Sequence, residues 1–340
     1  MNTMSPIIPV SQVDCQVPAW KKLLKTAIKD PLTLLETVAV DPKSLDFSLS
    51  ENNPFSTRVP QPFIDKMKPG DAKDPLLLQV LTSHLEELEV PDYSFDPLDE
   101  TQNQLPGLLH KYHGRVLLIL AAACAVNCRY CFRRHFPYQD KMATGDQLNK
   151  AIEYVRNSES ITEVILSGGD PLMVSDDQLR NLISQLDNIP HLKRLRIHTR
   201  LPVVIPQRVT NQLCQTLASS NLDCSIVLHI NHGNEIDPLL SRAVNDLKHS
   251  GVTLLNQSVL LKHINDNLDA LCELSERLFQ TGILPYYLHC LDKVAGAAHF
   301  DLPMNTAKTL ISGMRNRLPG YLVPRLAMEE PGRPAKTIVA

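Results

Sequence analysis

The stretch VLLILAAACAVNCRYC, residues 116–131, runs a short apolar segment straight into three closely spaced cysteines. Its first five residues show no polar alternation, as expected of a strand buried on both faces. Similar runs recur down the chain as EVILSG (163–168), RLRIHT (194–199), SIVLHI (225–230), TLLNQS (253–258) and ILPYYLHC (283–290). Most lie about thirty residues apart, the length of one strand, crossover helix and return. Amphipathic helical patterns such as DQLRNLISQL (177–186) and DALCELSERLF (269–279) fall between them. Strands of this kind pair in parallel, and right-handed crossovers curl six of them into an open barrel or a doubly wound sheet. The expectation is α/β, a partial (β/α)6 open barrel.

Chemistry in parallel α/β folds gathers at the C-terminal ends of the strands. AAACAVNCRYC follows the first run, SGGDPL the second, HTRLPVV the third and HINH the fourth; NQS lies within the fifth, and YYLHCLDK closes the sixth. These segments should converge on one mouth. Upstream, residues 1–104 are proline-punctuated, with helix-like patterns at Trp20–Ile28 and Pro75–Leu88 and a linker at PDYSFDPLDETQNQLPG (91–107). The expected division is a helical N-terminal region (1–104), a core barrel (105–320) and a short C-terminal segment (321–340).

With 34 Lys and Arg against 37 Asp and Glu among 340 residues, the chain is not built as a polyanion binder, so no nucleic acid partner is expected. No uncharged run reaches the ~18 residues of a membrane span, and the start lacks a signal-peptide pattern. A cytoplasmic protein with no membrane contact is expected, and in that compartment thiols stay reduced. The eight cysteines are then better read as metal or redox chemistry than as disulfides. Cys15, Cys214, Cys224, Cys272 and Cys290 are scattered, as small core residues are. Cys124, Cys128 and Cys131, in C-x3-C-x2-C spacing, can hold three irons of a [4Fe–4S] cluster and leave the fourth open. A zinc site is the alternative, but zinc sites usually add a second cysteine pair, which is lacking here.

CAVNCRYC resembles the signature of the radical S-adenosylmethionine (SAM) enzymes. The resemblance implies that the open iron chelates SAM and that reductive cleavage gives a 5′-deoxyadenosyl radical. Ser167, Gly168, Gly169 and Asp170 resemble the family's GGE-like element, implied to contact the SAM amino group. Glycines there permit close backbone approach, and an acid can accept from an ammonium. Tyr130 and Gln257 match positions near the adenosine.

A longer resemblance, from Pro106 to Lys336, is to the lysine 2,3-aminomutases, most closely the short bacterial branch that makes β-lysine for modifying elongation factor P. It is carried by LLHKYHGRVLLIL, CAVNCRYCFRRHFP, SGGDPLM, RLRIHTRLPVVIPQR, NQSVLLKHIND and PYYLHCLDKVAGAAHF. It implies a second cofactor, pyridoxal 5′-phosphate (PLP), joined to Lys336 in EEPGRPAKTIVA and contacted by Lys111, Tyr112 and Arg115. It further implies that Arg133 holds the carboxylate of L-lysine while Asp292 and Glu329 clamp its ε-ammonium. Glu329 stands where these enzymes usually carry aspartate. The implied partners are L-lysine, an electron donor of the flavodoxin or ferredoxin type, and a functional link to elongation factor P and its lysine ligase. His198, His229 and His232 fall at the same mouth and are read as groups behind the ligands.

Overall fold

The computed structural model describes residues 17–50, 53–102, 105–143 and 145–340; Cys15 lies outside the described residues. Among the described residues nine strands form one sheet in simple chain order: β1 (Leu108–Tyr112), β2 (Arg115–Ala121), β3 (Glu163–Gly168), β4 (Arg194–Thr199), β5 (Asp223–His229), β6 (Thr253–Val259), β7 (Leu284–His289), β8 (Arg325–Met328) and β9 (Thr337–Ile338). From β2 to β8 every pairing is parallel. The ends of the row, β1 and β9, are antiparallel. All six expected strands are present, and the run YLVPRLA supplies a seventh parallel one.

The connecting helices start and stop on local signals. Ser175 and Gln178 form a reciprocal capping box at the head of Asp176–Asp187, whose Leu179, Leu182, Ile183 and Leu186 are buried. Asn267 caps Leu268–Thr281, and Gly282 ends it at φ 91°, where a side chain would be strained. The main core runs without interruption from Trp20, Leu34 and Phe63 of the N-terminal region to Leu118, Leu166 and Ile197 of the sheet.

Two expectations upstream are corrected. The pattern at Pro75–Leu88 is not one helix but a single turn, Pro75–Leu78, and a 3-10 turn, His84–Glu87. Asp74 caps the first and Ser83 the second, so the chain restarts between them, and the apolar spacing reflects burial alone. The second concerns the expected linker 91–107, which is anchored in its described residues. Ser94 exchanges backbone hydrogen bonds with Lys293 and Ala295, and the Tyr93 hydroxyl donates to Asp301 at 2.7 Å. These contacts lay the segment across the barrel mouth.

The last strand matters for the site. Met328 pairs with Thr337 across β8 and β9, so Glu329 and Lys336 are the first residues of the intervening loop from either side. The pairing brings together two groups seven residues apart.

Candidate active site

The cysteine loop leaves the end of β2 and is laid directly on the end of β3. The Gly169 N–H donates to Ala121 O at 2.7 Å, and the Asp170 N–H to Ala123 O at 3.0 Å. A Cβ on Gly169 would stand 2.5 Å from Ala123 O, and one on Gly168, at φ 129°, would stand 2.7 Å from Ala121 O. The glycines are needed for two backbones to touch. The buried carboxylate of Asp170 accepts from the Thr199 hydroxyl at 2.7 Å and from the N–H groups of Arg200, Leu201 and Leu172. It fastens β3 to the start of the segment after β4.

Cys131 N–H closes a tight turn on Cys128 O at 3.0 Å. Burial raises the thiol of Cys124, with Cys131, Asp170 and Cys128 adding to it, and burial with Cys128 beside it raises that of Cys131 to about 11. Thiols raised in this way become thiolates readily only when cationic centres offset them. Among the described residues, no three His, Cys, Asp or Glu side chains gather tightly enough for a single metal ion. A lone zinc would need its sulfurs within ~2.3 Å of one point. Three cysteine thiols on one tight loop are the donor chemistry that a [4Fe–4S] cluster takes.

Behind Cys128 lies a buried polar network that the sequence reading missed. Arg200 donates to Cys128 Sγ at 2.7 Å and to the Tyr130 hydroxyl at 2.6 Å through Nη1. Its Nη2 donates to Gln79 Oε1 at 2.6 Å and to Glu235 Oε2 at 3.0 Å. Tyr130 is placed beside Cys128, its ring stacked on His229 at 5.7 Å and its hydroxyl also bonded by Asn231. Gln257 sits on β6 directly across from His229 of β5. Arg200 stands within the quoted HTRLPVV and Asn231 within HINH; Gln79 and Glu235 carried no signal in the sequence.

Arg133 is buried and turned into the mouth. Its Nη1 reaches Ser167 Oγ at 3.1 Å and Gly168 O at 3.3 Å. Its Nε and Nη2 grip Glu100 in a bidentate pair at 2.6 and 3.1 Å. Glu100 belongs to the segment read as linker. Lys111 Nζ lies 3.1 Å from Glu100 and 3.8 Å from Glu329. Glu329 in turn pairs with Lys336 and accepts from the Tyr112 hydroxyl at 2.9 Å, while Arg115 stacks over the Tyr112 ring at 4.6 Å. One chain of alternating charge runs from Arg133 to Lys336.

The two acids of the mouth are driven apart. Burial opposes ionisation of Glu329, but Lys336, Lys111 and Tyr112 hold it at about 2. Burial pushes Asp292 up to about 7, with Glu329 and Glu100 adding to the rise and Lys336 working against it. Asp292 has no ion-pair partner among the described residues; neighbouring Lys293 turns out to Asp92 at 3.8 Å. Burial and the cations around it, Lys336 and Arg133 among them, keep His198 neutral, and its Nε2 is enclosed without a hydrogen-bond partner. An enclosed unpaired nitrogen beside Lys336 and an unpaired acid suit a polar guest, and with Tyr112 and Arg115 the set fits PLP and an amino acid. His229 is likewise neutral, pushed down to about 3 by burial and Arg200. His232 instead caps the turn Gly233–Glu235.

A parallel sheet carrying a three-cysteine loop at the end of β2 agrees with the sequence comparisons. Residues 118–274 match the family model described as the Radical SAM superfamily. A solved radical SAM methyltransferase from Sphaerobacter thermophilus covers 65% of this chain and 68% of its own, at 18% identity and TM-score 0.44. L-lysine 2,3-aminomutase of Haemophilus influenzae is 50% identical over 98% of this chain and 99% of its own length. That of Escherichia coli is 49% identical over 94% and 93%. The chain belongs to the L-lysine 2,3-aminomutase family, and is an isomerase. No helix among the described residues is long and apolar enough to cross a membrane.

Proposed function

We propose that this protein takes free L-lysine and moves its α-amino group to the β-carbon, giving β-lysine as the R isomer for the modification of elongation factor P. One observation carries the substrate assignment: a buried guanidinium, Arg133, at one end of a charged row whose other end holds two acids, Glu329 and Asp292, beside Lys336. A zwitterion with a distant second ammonium matches that row. When bound, the cluster and SAM supply a carbon radical that takes hydrogen, and PLP supplies an aldehyde that holds an amino group and spreads an unpaired electron over its ring.

The chain's own residues position and screen. Cys124, Cys128 and Cys131 hold the cluster, with Ser167, Gly168 and Gly169 lining the SAM side and Tyr130 and Gln257 the adenosine side. Lys111, Tyr112 and Arg115 frame PLP. Lys336, paired here with Glu329, would hold PLP, and Glu329 together with Asp292 would hold the ε-ammonium of the substrate. Glu100 occupies the edge of Arg133 that a carboxylate would use, so lysine binding exchanges one carboxylate for another there. The electron enters from a donor of the flavodoxin or ferredoxin type.

Anaerobic reconstitution with iron, sulfide and PLP, then incubation of L-lysine with SAM and a reductant, tests the reading. Chiral analysis should find (R)-β-lysine, and transfer of that product to elongation factor P by its ligase should follow. A fully loaded protein that leaves lysine unchanged, or prefers glutamate or arginine, overturns it.

A further inference from the structure

Arg200 is not among the residues given a role above, yet its guanidinium is a buried charged group held against a cluster cysteine. It is 7% exposed and donates to Cys128 Sγ at 2.7 Å, and its charge is balanced by Glu235, which is fully buried, at 3.0 Å. Gln79, reaching in from the N-terminal region, fixes the same Nη2 at 2.6 Å, and Phe63 lies under the guanidinium plane at 5.3 Å. Glu235 is itself clamped by the N–H groups of Asn231 at 2.9 Å and His232 at 3.1 Å. Neither charge is free to move away when the cluster changes its own.

We propose that Arg200 is a positioning residue that sets the reduction potential of the cluster through its hydrogen bond to Cys128, with Glu235 limiting how far it does so. A donor and positive charge at a ligating sulfur favour the more negative, reduced cluster and raise its potential; a carboxylate behind that donor opposes the effect. In a site shielded from water, both act at close to full strength. The device would govern how readily one electron from the donor reaches the cluster.

The inference rests on the cluster reading above. Its test is an anaerobic potentiometric titration of the reconstituted holoenzyme, following the reduced cluster by electron paramagnetic resonance, with iron and sulfide content measured alongside. Arg200→Gln should lower the potential, and Glu235→Gln should raise it. Each shift should approach a tenfold change in the reduced-to-oxidised ratio at fixed potential, about 59 mV for one electron. Shifts of the same sign in both, or none in either, overturn the proposal, because a merely structural role does not produce opposite signs. If Arg200→Gln holds no cluster, Glu235→Gln decides: a rise supports the proposal, and no change or a fall ends it. A wild-type protein that takes up no cluster fails the underlying reading instead.

Discussion

Asp292 shows what placement does to one side chain. Unpaired and packed round by protein, it stays protonated up to about pH 7, while Glu329, a few side chains away, ionises at about 2. Two carboxyls of one site have been given different duties by their surroundings. An ammonium arriving beside Asp292 must pull its proton off, so lysine binding near pH 7 should release a proton. Calorimetric titration of the PLP-loaded protein in buffers of different ionisation enthalpy would count it. Asp292→Asn should abolish that release and weaken lysine binding while leaving PLP absorbance and iron content intact; a variant that still releases the proton would assign it to another group. The linkage has a second sign. Because the folded value lies above the ordinary aspartate value of ~3.9, the group costs stability as pH rises from there to about 7. The ligand-free variant should match wild type near pH 4 and exceed it in thermal stability above pH 7.

The elements explain why some of this was legible. The six strand runs were readable because buried parallel strands concentrate branched apolar residues, and chemistry sits where they end. The GGD element was also readable, and its glycines have a physical task beside the one the resemblance implies: Gly169 lets the end of β3 lie on the backbone leading to Cys124. That task gives an element-scale expectation. Gly169→Ala puts a Cβ 2.5 Å from a backbone oxygen, so the cysteine loop must shift. We expect about 1–3 kcal/mol lost in denaturant unfolding and a clear fall in iron bound per chain. Gly320→Ala, with nothing within 4 Å of the added carbon, is the control and should change neither. Equal iron in the two variants would show that the close approach is not required.

At the scale of the whole molecule, the N-terminal region proves to be the outer wall of the cysteine loop, and no local pattern announced it. Its decisive residues are single polar groups acting far along the chain: Glu100 on Arg133 at 33 residues' separation, Glu86 on Arg129 at 43, and Gln79 on Arg200 at 121. Periodicity cannot report such pairs, since each partner alone resembles an ordinary solvated charge. Arg129 and Arg134 both close on Glu86, and the three side chains are 0–2% exposed. Arg129 also donates to Phe55 O at 2.7 Å, and Arg134 to Gly296 O at 2.9 Å. The arginines flank the last cysteine, so this triad ties the loop to both the N-terminal wall and the segment after β7. Removing the shared acid leaves two enclosed cations unbalanced. Glu86→Ala should therefore cost about 3–5 kcal/mol in chemical unfolding, far more than loss of an exposed pair. The same pairing gives a pH signature. Although burial opposes it, the two arginines hold Glu86 below its ordinary value, so its stabilisation is full above ~4.3 and is lost as pH falls towards the lower folded value. Unfolding followed from pH 7 to pH 3 should show wild type losing its advantage over Glu86→Ala across the acid limb. Parallel curves over that range would mean that the charge on Glu86 is not what holds the cysteine loop to its wall.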